Sequence, residues 1–460
     1  MAANVVNMED YTFDQRDEFN RKQIATNVSA LLSSDVDVSP MVVDGLWGTG
    51  KSEFCFKLIN LMKESDTHHL VYVDAFQADH ADEPLLTVLA EVVKILPDDA
   101  AKRSFIKKAL PAARYGLKTL GKAAFGHILK QEISEVAEGY EAEIKKVADK
   151  TIDASVEALI KDHVEASKNL ENLQKALKKI AQEKPIILFI DELDRCRPDF
   201  AVHLLEVIKH TFDVDGVQFV LITNTQQLKA SINHCYGDSV QAQSYLDKFI
   251  KFSFSLNKST FFSQSREIDT SKKHFDLLVA QNQSLQNTFL NDNDSAALGL
   301  VHRCIECNGL SLRDVERLVR YLKVYQQLTN NDLNKPSSGM PRNEYHTFYL
   351  IRLYAVCLSS ILPVVANDIT NGYPDAVSLT SLISIDTSTL FEEINLIKTY
   401  DMVAILLAQE CKINATDYFP SENMEEKFSQ QKRYYFDFQP DEGDLIKELR
   451  GTLKTLSLTA

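Results

Sequence analysis

Along the chain the spacing of apolar residues changes repeatedly, and each change marks a new element. Met41-Val42-Val43 is a short apolar run of the kind that forms a buried strand. Beyond a glycine-rich interval, Phe54, Cys55, Leu58, Ile59 and Met62 recur at spacings of three and four, which predicts a helix with one buried stripe. The same alternation of elements returns later. "PIILFIDELDRCRPD" at 185–199 carries an unbroken apolar stretch into two acids; Phe200, Leu204, Leu205, Ile208 and Phe212 then form a helical stripe; "VQFVLITN" follows as a second apolar run. Strands alternating with helices, with strands apolar throughout, predict an α/β fold built on a parallel sheet.

Between these halves lies a long helical pattern. From Tyr140 to Lys184 there is neither Gly nor Pro, and apolar residues recur from Ile144 to Ile180 at helical spacing, as in a hairpin of long helices or a helix packed on a partner. "GLSLRDVERLVRYL" buries Leu312, Val315, Leu318 and Val319 on one helix face. The run Leu353 to Asn367 is too short for a bilayer, contains Pro363 and is flanked by Arg352 and Asp368, so it is expected as a buried helix.

Composition narrows the class. The chain has 460 residues, 45% of them apolar, and a net charge of −15, which argues against broad coating of nucleic acid. Its seven scattered cysteines fit reduced thiols, and the polar N-terminus lacks an apolar signal core, so a soluble cytoplasmic protein is expected. Residues 101–131 are the exception to the acidity, with eight Lys/Arg and no acid. Three readings of that stretch stay open: a complement to the neighbouring acids Glu132, Glu135, Glu138 and Glu141, a peripheral contact with anionic lipid, or a contact with a nucleic-acid backbone, the last not favoured.

The glycine-rich interval, "GLWGTGKS" at 45–52, matches the P-loop pattern G-x-x-x-x-G-K-S in full, and it lies between the predicted strand and helix. Backbone N–H groups of such a turn, with the helix N-terminus behind them, cradle phosphates. The expected nucleotide-binding set is Gly45, Trp47, Gly48, Thr49, Gly50, Lys51, Ser52 and Glu53, with Lys51 on the β- and γ-phosphates and Ser52 on Mg²⁺. Trp47 is the only tryptophan; it is expected under the loop as an anchor or facing the insertion or lid as a contact that feels nucleotide state, in preference to stacking near the base.

Hydrolysis also needs an acid on the metal and a base for water. Asp191, delivered by a buried strand to the sheet's carboxyl edge, is the expected Mg²⁺ ligand, and Glu192 the expected base. Asn224, at the tip of the next strand, is the expected γ-phosphate sensor.

These parts together resemble the KAP family of P-loop NTPases, a branch of the additional-strand ATPases. The residues that carry the resemblance are Trp47 in "GLWGTGKS", "DELDRC" at 191–196, "FVLITNTQQLKASI" at 219–232 and "YLDKFIKFSFSLN" at 245–257, and the likeness runs from about residue 15 to about 325. The chain departs from the family pattern at Phe76, where tryptophan is more usual, at Glu192 and Asn224, where aspartates are common, and at Asn257, a common proline. Many members carry transmembrane helices between the P-loop and the carboxylate strand; the insertion here does not read as membrane-spanning.

The resemblance implies a parallel-sheet NTPase core of the additional-strand type with a helical lid, and the residue pattern adds a long helical insertion and a mainly helical C-terminal domain. The expected divisions are 1–98 and 183–260 for the core, 99–182 for the insertion, 261–330 for the lid, 331–345 for a linker and 346–460 for the C-terminal domain. It further implies an ATPase using ATP and Mg²⁺, an arginine acting on the γ-phosphate, either Arg195 or Arg313 with Arg317 as fallback, and a homo-oligomer or protein partner. Some relatives act in bacterial exclusion of phage. A slow-turnover nucleotide switch and an ATP-driven nucleic-acid machine remain the alternatives. Absence of an Asn-Lys-x-Asp string tilts the base towards adenine. Cys304-x-x-Cys307 beside His302 lacks a second ligand pair and reads as reduced thiols, and His203 and His210 fall on the solvent face of their helix.

Overall fold

The computed structural model describes residues 10–81, 84–116, 156–256, 259–261, 267–293, 295–335, 342–372, 374–386, 391, 397–435 and 443–458. The expectations for the basic stretch beyond residue 116 and for the insertion before residue 156 lie outside the described residues. The chain falls into two compact units, Met1–Asn257 and Lys258–Ala460.

The first unit is built on five strands: β1 Met41–Asp44, β2 His69–Asp74, β3 Ile186–Asp191, β4 Val217–Thr223 and β5 Phe252–Ser255. They form one parallel sheet in the order β2-β3-β4-β1-β5. Side chains alternate between its faces. Met41, Val43, Ile187, Phe189, Val220 and Ile222 share one core with Phe54, Leu58 and Met62 of the helix Lys51–Lys63 and Ala25, Val28 and Leu32 of the helix Lys22–Leu32. Val42, Val71, Val73, Ile186, Leu188, Ile190, Phe219 and Leu221 face the opposite core, with the helices Pro84–Lys94, Val156–Glu183, Pro198–Thr211 and Thr225–Tyr236. Both faces being covered, every position of β3 is buried, which is why its sequence is apolar without interruption. Full burial of a side chain such as Phe189 contributes roughly 1.5–3 kcal/mol.

Register brings the strand ends level: Asp44 stands opposite Thr223, and Asp74 opposite Asp191. Because all five strands run the same way, the carboxyl ends of β1 to β4 deliver their polar residues to one edge of the sheet. β4 separates the strand before the glycine loop from the strand ending in Asp191, so those two segments meet across one intervening strand end.

The second unit pairs two short antiparallel strands, Ser259–Phe261 and Glu267–Asp269, and is otherwise helical where described. One continuous apolar core runs from Phe275 to Leu453 and includes Leu333. The helix Leu312–Leu328 starts in a capping box between Ser311 and Asp314 and buries Leu312, Val315, Leu318 and Val319. The run expected as one buried helix from Leu353 is two: Arg342–Ile361, whose residues 349–358 are almost all fully buried, and Pro363–Asn371, in which Val364 is 73% exposed. A proline disfavours helical geometry in the residue before it, and Leu362 accordingly leaves the helix with ψ 64.

Candidate functional site

The loop between β1 and the helix Lys51–Lys63 owes its shape to its glycines. Gly48 and Gly50 have φ of 74 and 78, a region open chiefly to glycine, and Gly50 caps the helix. A Cβ on Gly45 would come within 2.7 Å of Thr49 Oγ1. The loop is closed by its own bonds: Thr49 Oγ1 donates to the Leu46 carbonyl at 2.8 Å, and Lys51 Nζ donates to the carbonyls of Gly45 at 2.7 Å and Leu46 at 3.2 Å. Gly45 N donates to the Thr223 carbonyl at 3.3 Å, joining the loop to the end of β4.

Opposite Ser52 stand the two acids that end β3. Ser52 Oγ donates to Glu192 Oε1 at 3.4 Å, a contact spanning 140 residues of sequence. Asp191, 1% exposed, accepts from Tyr72 OH at 3.3 Å and from the Glu192 amide at 2.8 Å. Burial, aided by the Glu192 charge, pushes the Asp191 carboxyl up to about 6, although hydrogen bonds from Ser52, the Glu192 amide and Tyr72 oppose the rise. Burial also raises Glu192; Arg195 and Lys51 pull it down, while Asp194 and Asp74 push it up. Glu192 has φ 61, a left-handed conformation that starts the tight turn Leu193–Arg195 and aims its carboxylate at the loop. Lys51 is pushed down by burial, and Asp194, Asp191, Glu192 and Asp44 counter this.

A serine hydroxyl flanked by two carboxylates is a set of hard oxygen donors suited to Mg²⁺. No group of three or more metal-binding side chains occurs among the described residues.

Trp47 is not packed beneath the loop. Its indole is 47% exposed, and Nε1–H donates to Asp194 Oδ2 at 2.5 Å. Apolar burial was the physical basis for expecting an anchor under the loop; a polar bond to a buried acid holds the ring instead. Asn224 is 4% exposed and caps the helix Thr225–Tyr236, its Oδ1 accepting from the Gln226 amide at 3.1 Å. The cap fixes which way the amide faces and leaves Nδ2 as its donor. The Arg195 guanidinium pairs with Glu192.

Glu53 and Arg317 make contacts of their own. Glu53 is paired with Lys57 at 2.7 Å, one helical turn on. Arg313 belongs to the second unit, exposed on the first turn of its helix, where Arg317 pairs with Asp314 at 3.2 Å. His203 and His210 are exposed, and Cys304 and Cys307 are free thiols. Sequence reasoning gave no role to Tyr72, Asp44 or Asp194. Asp44 accepts from the amide and hydroxyl of Thr225 at 2.9 and 2.8 Å, fixing the turn after Asn224. Asp194 stood in plain view inside "DELDRC", but only the fold reveals that it is buried and what it meets.

A phosphate loop after β1, two acids at the end of β3 and an extra strand between them define a P-loop NTPase of the additional-strand class. Residues 21–329 match the family model described as the KAP family P-loop domain, so the chain belongs to the KAP family of P-loop NTPases. Nucleotide binding and hydrolysis are the general chemistry of that domain. No curated protein matches the chain. No helix among the described residues is long and apolar enough to cross a membrane.

Proposed function

We propose that this site performs Mg²⁺-dependent hydrolysis of ATP and couples nucleotide state to movement of a lid or partner. One observation carries the reading: the Ser52 hydroxyl, at the start of the loop helix, reaches Glu192 and Asp191 at the end of β3. The contact joins the loop hydroxyl to the two acids from distant parts of the chain, which supports their reading as metal acid and base.

In this reading the backbone of Gly45 to Gly50 holds the phosphates, and Lys51 leaves the loop carbonyls to bind the β- and γ-oxygens. Ser52 and Asp191 hold Mg²⁺, which neutralises charge on the phosphates when bound. Glu192 orients and deprotonates the attacking water, and Asn224 Nδ2 donates to that water or to the γ-phosphate. An arginine, Arg195 or Arg313, meets the charge that develops on the leaving phosphates, in cis or from a second copy of the chain. The setting in bacterial anti-phage defence rests on family resemblance, and the cytoplasmic location on the cysteine usage and the polar N-terminus.

A slow-turnover switch is the second reading, and a specific arrangement favours it. Glu192 is engaged by Arg195 and Lys51 by the loop carbonyls, so both contacts must be exchanged before chemistry. Phosphate release by purified protein separates the two. Glu192→Gln should bind ATP and lower turnover by about a hundredfold or more. Wild-type turnover no faster than that of the variant would leave only the switch.

A further inference from the structure

We propose that Asp194 is a positioning residue of the nucleotide site, setting the shape of the phosphate loop by holding its tryptophan to the end of β4. The proposal rests on the ATPase reading above. Asp194 is 8% exposed and lies between Glu192 and Arg195 without taking either role. Its Oδ2 accepts from the Trp47 indole, and its Oδ1 accepts from Thr223 Oγ1 at 3.2 Å. Thr223 is wholly buried, ends β4 and immediately precedes Asn224. Its carbonyl takes the Gly45 N–H.

The loop is therefore joined to the same strand end twice, at Gly45 by backbone and at Trp47 through Asp194. Each carboxylate oxygen meets one donor, so a single group fixes both the loop's apex and the strand end that carries Asn224. This accounts for an indole at a half-exposed position, where buried area could not hold a ring: the site needs a rigid arm ending in an N–H. The Asp194 charge, with those of Asp191, Glu192 and Asp44, also favours the charged form of Lys51. A loop held in shape before phosphate arrives loses less freedom on binding, so the tether raises affinity.

The test combines kinetics with the emission of the sole tryptophan. Trp47→Phe keeps an aromatic ring and removes the N–H at a half-exposed position. It should raise KM for Mg-ATP about tenfold and leave kcat within about twofold, the pattern of lost uniform binding. Asp194→Ala should do the same and shift the emission of the nucleotide-free protein. The double variant should be no worse than the poorer single one. Asp194→Asn, whose oxygen still accepts from the indole and whose amide can donate to the Thr223 hydroxyl, should recover most of the affinity and the emission.

Unchanged KM in Trp47→Phe, effects that multiply in the double variant, or wild-type emission in Asp194→Ala would each overturn the proposal. If Asp194→Ala does not fold, Trp47→Phe and Asp194→Asn decide it. If wild type proves to bind ATP without turnover, the ATPase reading fails separately, and the dissociation constant of Mg-ATP replaces KM in every comparison.

Discussion

Asp191→Asn should make the metal-free protein more stable while removing its Mg²⁺-dependent activity. Burial raises the Asp191 carboxyl from an ordinary 3.8 to about 6, which corresponds to about 3 kcal/mol of destabilisation once the group is ionised in the fold. The sign follows from the direction of the rise. The cost is absent below about pH 3.8, grows as the unfolded chain ionises, and is complete above about pH 6. Asparagine avoids that cost and can accept the Glu192 N–H at Oδ1 while its Nδ2 donates to the Tyr72 hydroxyl oxygen, but these neutral bonds are weaker than those of the carboxylate, a loss of roughly 1–2 kcal/mol. The net gain is about 1–2 kcal/mol, or roughly 3–6 °C in Tm for a domain of this size. The assay is thermal unfolding in a chelator at about pH 8 and about pH 5, because a bound cation would stabilise the ionised wild type. Near pH 5 only about half the penalty remains, and the variant should lose its advantage. A variant no more stable than wild type at pH 8, or equally advantaged at both pH values, would refute the reasoning.

Two further outcomes follow from the geometry. Lys51→Ala removes a cation that reaches into the loop, and ATP affinity measured by calorimetry should fall by about a hundredfold or more; retained affinity would mean that the nucleotide sits elsewhere. Gly216→Ala forces an alanine into φ 82 with its Cβ 3.0 Å from that of Ala181, so denaturant unfolding should show a loss of about 1–3 kcal/mol.

Much of the nucleotide core was legible in the chain because its signals are local. Strands buried on both faces must be apolar throughout, as at 186–190, and a loop that wraps phosphate must place glycine where φ is positive, as at Gly48 and Gly50. These constraints act within a few residues, so order along the chain was enough to read the parallel sheet and the family.

Other features of the site come from residues far apart in sequence. Trp47 and Asp194 are 147 positions apart, and no periodicity or motif says that a half-exposed indole will find a buried carboxylate. The elevated Asp191 and the Glu192–Arg195 pair likewise come from burial and from a left-handed turn that propensity does not predict. The same holds for the break at Leu362, where proline set the helix boundary but packing decided which half was buried. Sequence alone thus determined which chemical groups stand at the sheet edge; folding determined which of them touch, because contact and desolvation are properties of the assembled edge and not of any single segment.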